Sequence, residues 1–157
     1  MKILFICIGL ILSLNVFSQW QWLNPSPQGD GYADMTFVDD YIGYAISSTS
    51  LVLKTENSGL NWTIVGRTGV AYPKAMWFND EQNGWVCGIN GEIAFTDDGG
   101  VNWTDIDSPF GTDDLSDIYF LDNLKGFVTA DYGQIAMTID GGETWTSVYN
   151  GDDDVTA

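Results

Sequence analysis

The sequence predicts an all-β fold of β-propeller blades: three four-stranded antiparallel sheets forming the N-terminal part of a larger ring. Three observations carry that expectation. Apolar residues come in short β-rich clusters separated by Gly, Asn and Asp, and no long stretch keeps the helical period. The chain holds 7 Trp, 7 Tyr and 8 Phe, the residue types that chains unable to fold lack. One octamer is also written three times, with starts 41 and then 42 residues apart.

Residues 1–18 read as an export signal, with Lys2 as the positive start, Ile3 to Val16 as the apolar stretch, and Val16 and Ser18 as small residues before a cut at Gln19. The apolar run is shorter than the roughly 20 residues of a bilayer span, and Gln19 and Gln21 follow it at once, so a cleaved leader fits better than an anchor. Cys7 lacks the small-residue context of a lipoprotein signal. The expected location is secreted, periplasmic or at a bacterial cell surface, with no membrane insertion after cleavage.

Without the leader, 4 basic side chains face 22 acidic ones, a net −18. Such a surface repels nucleic acid and anionic lipid, and it suits a cationic partner, divalent ions or plain solubility. Cys87 would be the only remaining cysteine, so no intrachain disulfide is expected, and its setting between Val86 and Gly88 predicts a small buried filler. There is no histidine.

Residues 19–157 are read as propeller repeats, with blades at about 32–66, 73–107 and 115–149. Phe37, Phe78 and Phe120 each stand six residues before Gly43, Gly84 and Gly126, and each glycine stands twelve before the first threonine of its octamer. In the second unit the strands are expected at Ala75 to Phe78, Gly84 to Cys87, Ile93 to Thr96 and Trp103 to Ile106. Asn90-Gly91 signals a two-residue hairpin, Tyr132-Gly133 is a looser counterpart, and Thr49-Ser50 is the weakest. A leucine-rich solenoid would need shorter units, and helical repeats would need helices.

Residues 19–23 resemble an orphan closing strand and residues 150–157 the opening of a further unit. Propellers close with roughly 4 to 8 blades, so the expectation is a longer ring, with self-association as the alternative if the chain ends at Ala157. An open stack would expose two end faces, and Phe37, Trp62, Ile118 and Trp145 are expected on them.

The three octamers run from Thr55 through Asn57 and Gly59 to Trp62, from Thr96 through Asp98 and Gly100 to Trp103, and from Thr138 through Asp140 and Gly142 to Trp145. They resemble the Asp-box, or BNR repeat, S/T-x-D-x-G-x-x-W, a resemblance that covers residues 19–150. The glycine permits positive φ in the turn between third and fourth strands, and the Asp or Asn accepts turn amides. The threonine hydroxyl joins that network, and the tryptophan packs between sheets as the first large residue of the returning strand. Asn57 accepts without charge assistance, so the first box should be the weakest. Asp98 and Asp140 as a catalytic pair fit poorly, because one copy per blade spreads them around a rim. Asp97-Asp98 and Asp152 to Asp154 lack the alternating spacing of an EF-hand calcium loop. No catalytic residue, metal site or cofactor is expected.

The blade pattern Gly84, Gly88, Gly91, Ile93 and Thr96, repeated from Gly126 to Thr138 with Ala130 replacing one glycine, resembles secreted bacterial relatives of the photosystem II assembly/stability factor. That resemblance implies a non-enzymatic propeller that binds or scaffolds protein. The family's basic patch has no equivalent, since Arg67 is the only arginine. The alternatives are a glycan-binding module and a glycoside hydrolase. A sialidase needs an arginine cluster, whereas other glycosidases need only two carboxyls flanking a pocket. Propeller geometry gathers Tyr72, Lys74, Phe110 and Tyr132 on one face, with Arg67 nearby, as a candidate surface for a protein or glycan partner. The competing reading packs Tyr72 and Phe110 between blades.

Overall fold

The computed structural model describes residues 30–149. The leader, the strand expected at 19–23 and the unit expected from 150 lie outside the described residues.

The first sheet is a meander of β1 (Tyr32–Phe37), β2 (Gly43–Ser47), β3 (Leu51–Thr55) and β4 (Thr63–Arg67). The second contains β5 (Pro73–Phe78), β6 (Gly84–Gly88), β7 (Ile93–Thr96) and β8 (Thr104–Ile106). The third contains β9 (Leu115–Phe120), β10 (Gly126–Ala130), β11 (Gln134–Thr138) and β12 (Thr146–Tyr149). Neighbouring strands pair antiparallel, and β1, β5 and β9 lie side by side, so the sheets stack as successive blades of a partial ring. The all-β expectation holds.

Two boundaries differ from the sequence reading. β5 begins at Pro73, where a first position requires no ladder donor, and Pro73 pairs with Gly88. β8 begins at Thr104, so Trp103 stands just ahead of the returning strand.

The hairpins between second and third strands also diverge. Asn90 (φ 57°) and Gly91 (φ 70°) form a two-residue turn closed by the Glu92 amide donating to the Ile89 carbonyl at 3.2 Å. Tyr132 and Gly133 adopt the same signs, at 64° and 75°. In the first blade only Ser50 is left-handed, at 70°, and its amide donates to Ser47 O at 2.9 Å. That turn runs over Ser48 to Ser50, because β-branched Thr49 resists the left-handed conformation.

Two apolar layers hold the blades together. Tyr44, Ile46 and Val52 of the first blade meet Met76, Phe78, Val86 and Ala94 of the second. Trp85, Cys87 and Ile93 of the second meet Ile118, Phe120, Val128 and Ala136 of the third. β6 is therefore buried on both faces, which is why it reads as an unbroken apolar run. Burial pushes the Cys87 thiol up to about 12. The Tyr44 and Phe78 rings stack at 3.7 Å, 3° from parallel.

One expectation is corrected here. Ile118 is 2% exposed, and both it and Trp145 pack against the second blade, so neither lies on an end face. Residues two apart on a strand share a face, and Ile118 shares that of Phe120.

Candidate functional site

Each box is a turn held by its own side chains. In the second, the Asp98 carboxylate accepts the amides of Val101 and Asn102 at 3.1 and 2.9 Å and the Thr96 hydroxyl at 2.9 Å. Thr96 Oγ1 in turn accepts the Gly100 amide at 3.0 Å. Asp140 accepts the amide and hydroxyl of Thr144 at 2.9 and 2.5 Å and the Thr138 hydroxyl at 2.7 Å. Asn57 accepts the Asn61 amide at 2.8 Å and the Thr55 hydroxyl at 3.1 Å. Gly59, Gly100 and Gly142 sit at φ 81°, 87° and 100°.

These contacts set the electrostatics. Hydrogen bonds from Thr144 and Thr138 hold the Asp140 carboxyl down at about 2. The Asn102 amide and side chain, with Thr96, lower that of Asp98. The tryptophans finish the turn: Trp62, Trp103 and Trp145 meet Phe37, Phe78 and Phe120 edge-on, with centroids 6.1, 6.1 and 6.2 Å apart.

A second repeated aspartate escaped the sequence reading. Asp39 accepts the amides of Tyr41 and Ile42, both at 2.7 Å, Asp80 those of Gln82 and Asn83, and Asp122 those of Leu124 and Lys125. Its signal was present, since each stands two residues after Phe37, Phe78 or Phe120. These caps shape the turn between first and second strands, and the box leans on that turn. The amides of Ser58, Gly99 and Gly141 donate to the carbonyls of Tyr41, Gln82 and Leu124 at 2.9, 3.0 and 2.8 Å. Both aspartate sets thus brace one end of every blade.

At that end Asn79, Asp80, Leu121, Asp122, Asn123 and Leu124 line an open depression of about 440 Å³. It brings two carboxylates, Asp80 and Asp122, to one place. A glycosidase acid needs a raised pKa. Both groups here are lowered: Asp122 by the Lys125 and Leu124 amides, and Asp80 against the opposing effect of burial, by the Asn83 and Gln82 amides and the side chains of Asn83 and Asn123. Among the described residues, no group of three or more His, Cys, Asp or Glu is placed to hold a metal ion.

The opposite end gathers the remaining loops. Asp114 joins them: its carboxylate accepts Lys74 Nζ at 3.2 Å and the Asn90 amide at 3.0 Å, and its carbonyl accepts the Asp131 amide at 2.9 Å. The Asn90 amide and Lys74 lower the Asp114 carboxyl. Glu92 accepts the Ala71 amide, and Arg67 donates to the Thr49 carbonyl.

Tyr132 is 80% exposed and Tyr72 is 68% exposed, both at positive φ, 64° and 45°. Tyr72 therefore does not pack between blades. Phe110 does, half-buried against the layer joining second and third blades. Lys74 and Arg67 are each committed to a contact, so the open features of this end are the two tyrosines within an acidic rim that includes Asp113, Asp114 and Asp131.

The stacked four-stranded meanders define a β-propeller. No family model matches the chain. It is 24% identical over 110 residues to the photosystem II assembly lipoprotein Ycf48 of Synechococcus sp. (strain CC9902), a match covering 62% of this chain and 30% of that relative. Among solved structures, YCF48 bound to D1 peptide superposes with a TM-score of 0.67 at 23% identity, over 77% of this chain and 40% of that one. YCF48 from Cyanidioschyzon merolae gives 0.68 at 22% identity, over 85% and 44%. The GH74 enzyme of Niastella koreensis gives 0.61 at 17% identity, over 79% and 22%. The chain spans under half the length of each, and what it shares with these structures is the propeller fold.

Proposed function

We propose that this chain is an exported, non-enzymatic β-propeller module that binds a protein partner across the end bearing Tyr72 and Tyr132. One observation carries the reading. A bulky residue in the left-handed region is an outlier costing about 1–3 kcal/mol, and such outliers cluster at binding sites. Two tyrosines on one face are held this way, and both point out. Tyrosine supplies large amphipathic contact area at low entropic cost, which suits it to anchoring a protein partner. Lys74 is paired and the surrounding loops are acidic, so a partner segment carrying Lys or Arg fits this face. A propeller of the same fold has been solved bound to a peptide, which adds support. Export rests on the composition of residues 1–18.

The second reading, a glycan-binding protein or glycoside hydrolase, draws on the GH74 neighbour and on tyrosines as sugar platforms. The box and cap carboxylates weigh against hydrolysis, being committed to turn amides with lowered pKa values.

A photo-crosslinking residue placed at Tyr132, with a second placement at Leu124 on the opposite end as control, tests the proposal in the producing cells. Crosslinking to one protein from position 132 and not from 124 supports it. Crosslinks from both positions alike, or turnover of chromogenic glycosides by the purified chain, overturn it.

A further inference from the structure

The third blade turns toward solvent a face that matches the one with which the second blade holds the third. Phe127, Ile135, Met137 and Val148 stand 42 residues after Trp85, Ile93, Phe95 and Ile106, all of which pack in the layer between second and third blades. Val148 is 50% exposed and the other three are partly exposed. The match extends to the seam. A Cβ built on Gly142 would lie 3.1 Å from Ile106 Cδ1, so a box glycine rests on that position, and Val148 is its open equivalent.

A polar feature repeats as well. Asp34 gives one oxygen to the Met35 amide at 2.8 Å and the other to the Met76 amide of the next blade at 2.9 Å. Asp117 has the same place in the third blade. One oxygen accepts the Ile118 amide at 2.9 Å, and the other has no partner among the described residues.

The face that fits such a seat is carried by the first blade. Phe37 is 45% and Met35 58% exposed, and Phe37 meets Trp62 edge-on as Phe78 meets Trp103. We propose that the outer face of the third blade seats the first blade of a second copy of this chain, with Phe37 of one stacking on Phe127 of the other. The association is heterologous, head to tail, because the two faces differ. It continues the two interfaces already inside the chain, and it does not depend on the partner face with Tyr72 and Tyr132. With 22 acidic against 5 basic side chains the copies repel, so screening by salt strengthens the contact.

Phe37→Asp removes the presenting face and Phe127→Asp the seat. Sedimentation of the full chain should show concentration-dependent association, tighter at about 0.5 M than at about 0.05 M salt. Each variant alone should be monomeric, and an equimolar mixture should form a 1:1 dimer, since each supplies the face the other lacks. Met35→Lys with Val148→Lys, both at exposed sites, repeats the mixing if an aspartate variant loses its near-UV signal. A monomeric parent, a variant that associates like the parent, or a mixture that stays monomeric overturns the proposal.

Discussion

The indole of Trp85 stacks on the ring of Phe120 at 3.7 Å, 13° from parallel, while its Nε1 donates to the Gly141 carbonyl at 2.9 Å. One side chain thereby joins the second blade to both the core and the box turn of the third. Tyr44 does the same one blade earlier, stacking on Phe78 and donating its hydroxyl to the Glu81 carbonyl at 2.8 Å. Trp85 is fully buried, so Trp85→Ala should cost about 3–5 kcal/mol. Trp85→Phe keeps a ring and loses the donor, and should cost about 1 kcal/mol for the hydrogen bond plus a share of the lost packing. Urea unfolding of the two variants measures the difference; equal losses would show that the hydrogen bond contributes nothing.

The boxes differ in strength because their acceptors differ. Asp98→Ala should destabilise by about 1 kcal/mol, the low end for an exposed turn, and Asp98→Asn by less, since the amide still accepts. Asn57→Asp should stabilise the first box, although neighbouring Glu56 opposes the added charge. The order of urea midpoints in the three variants checks the account.

Acid should expose the same turns. A carboxyl whose folded pKa is lowered contributes stability that is complete above its unfolded value, about 3.9, and is lost as pH falls through the folded one. For Asp140 the folded value is about 2, and Asp98 is lowered in the same direction. Stability should therefore fall between about pH 4 and pH 2. Asp140→Asn should flatten that fall; an unchanged slope in the variant would count against the hydrogen-bonded carboxylate.

Gly84 lies against its own blade's phenylalanine. A Cβ there would sit 2.5 Å from Phe78 Cε1 and Cζ, and that ring is already pressed on Tyr44 at 3.7 Å. Gly84→Ala should cost about 1–3 kcal/mol by overpacking, read as a lower unfolding midpoint. No loss would mean that the ring has room to shift.

This contact explains why so much of the fold was legible. Phe37, Phe78 and Phe120 recur six residues before Gly43, Gly84 and Gly126 because each ring lies flat over its glycine, so the spacing is a packing constraint written in sequence. The Asp98 and Asp140 networks are local, closing within four residues, and local geometry is what a motif records.

What failed was non-local. Alternation gives each strand two faces without saying which neighbour each face meets, and Ile118 was misplaced for that reason. The Asp114 contacts to Lys74 and Asn90 span 40 and 24 residues, and no spacing rule announces them. Tyr72 and Tyr132 were readable as aromatic loop residues, but their positive φ and exposure follow from how the blades hold the loops.

The central claim is that the face bearing Tyr72 and Tyr132 binds protein, and direct binding of selected peptides tests it. Peptides selected from a random display library on the full chain would be titrated against three forms: the parent, a Tyr72→Ala/Tyr132→Ala variant and a Leu121→Ser/Leu124→Ser variant of the opposite end. The account predicts peptides containing Lys or Arg that lose at least about tenfold in affinity with the tyrosine variant, about 1.4 kcal/mol, and are unchanged with the leucine variant. Affinity that survives loss of both tyrosines and falls with the leucine variant would place binding at the other end of the blades and contradict the account.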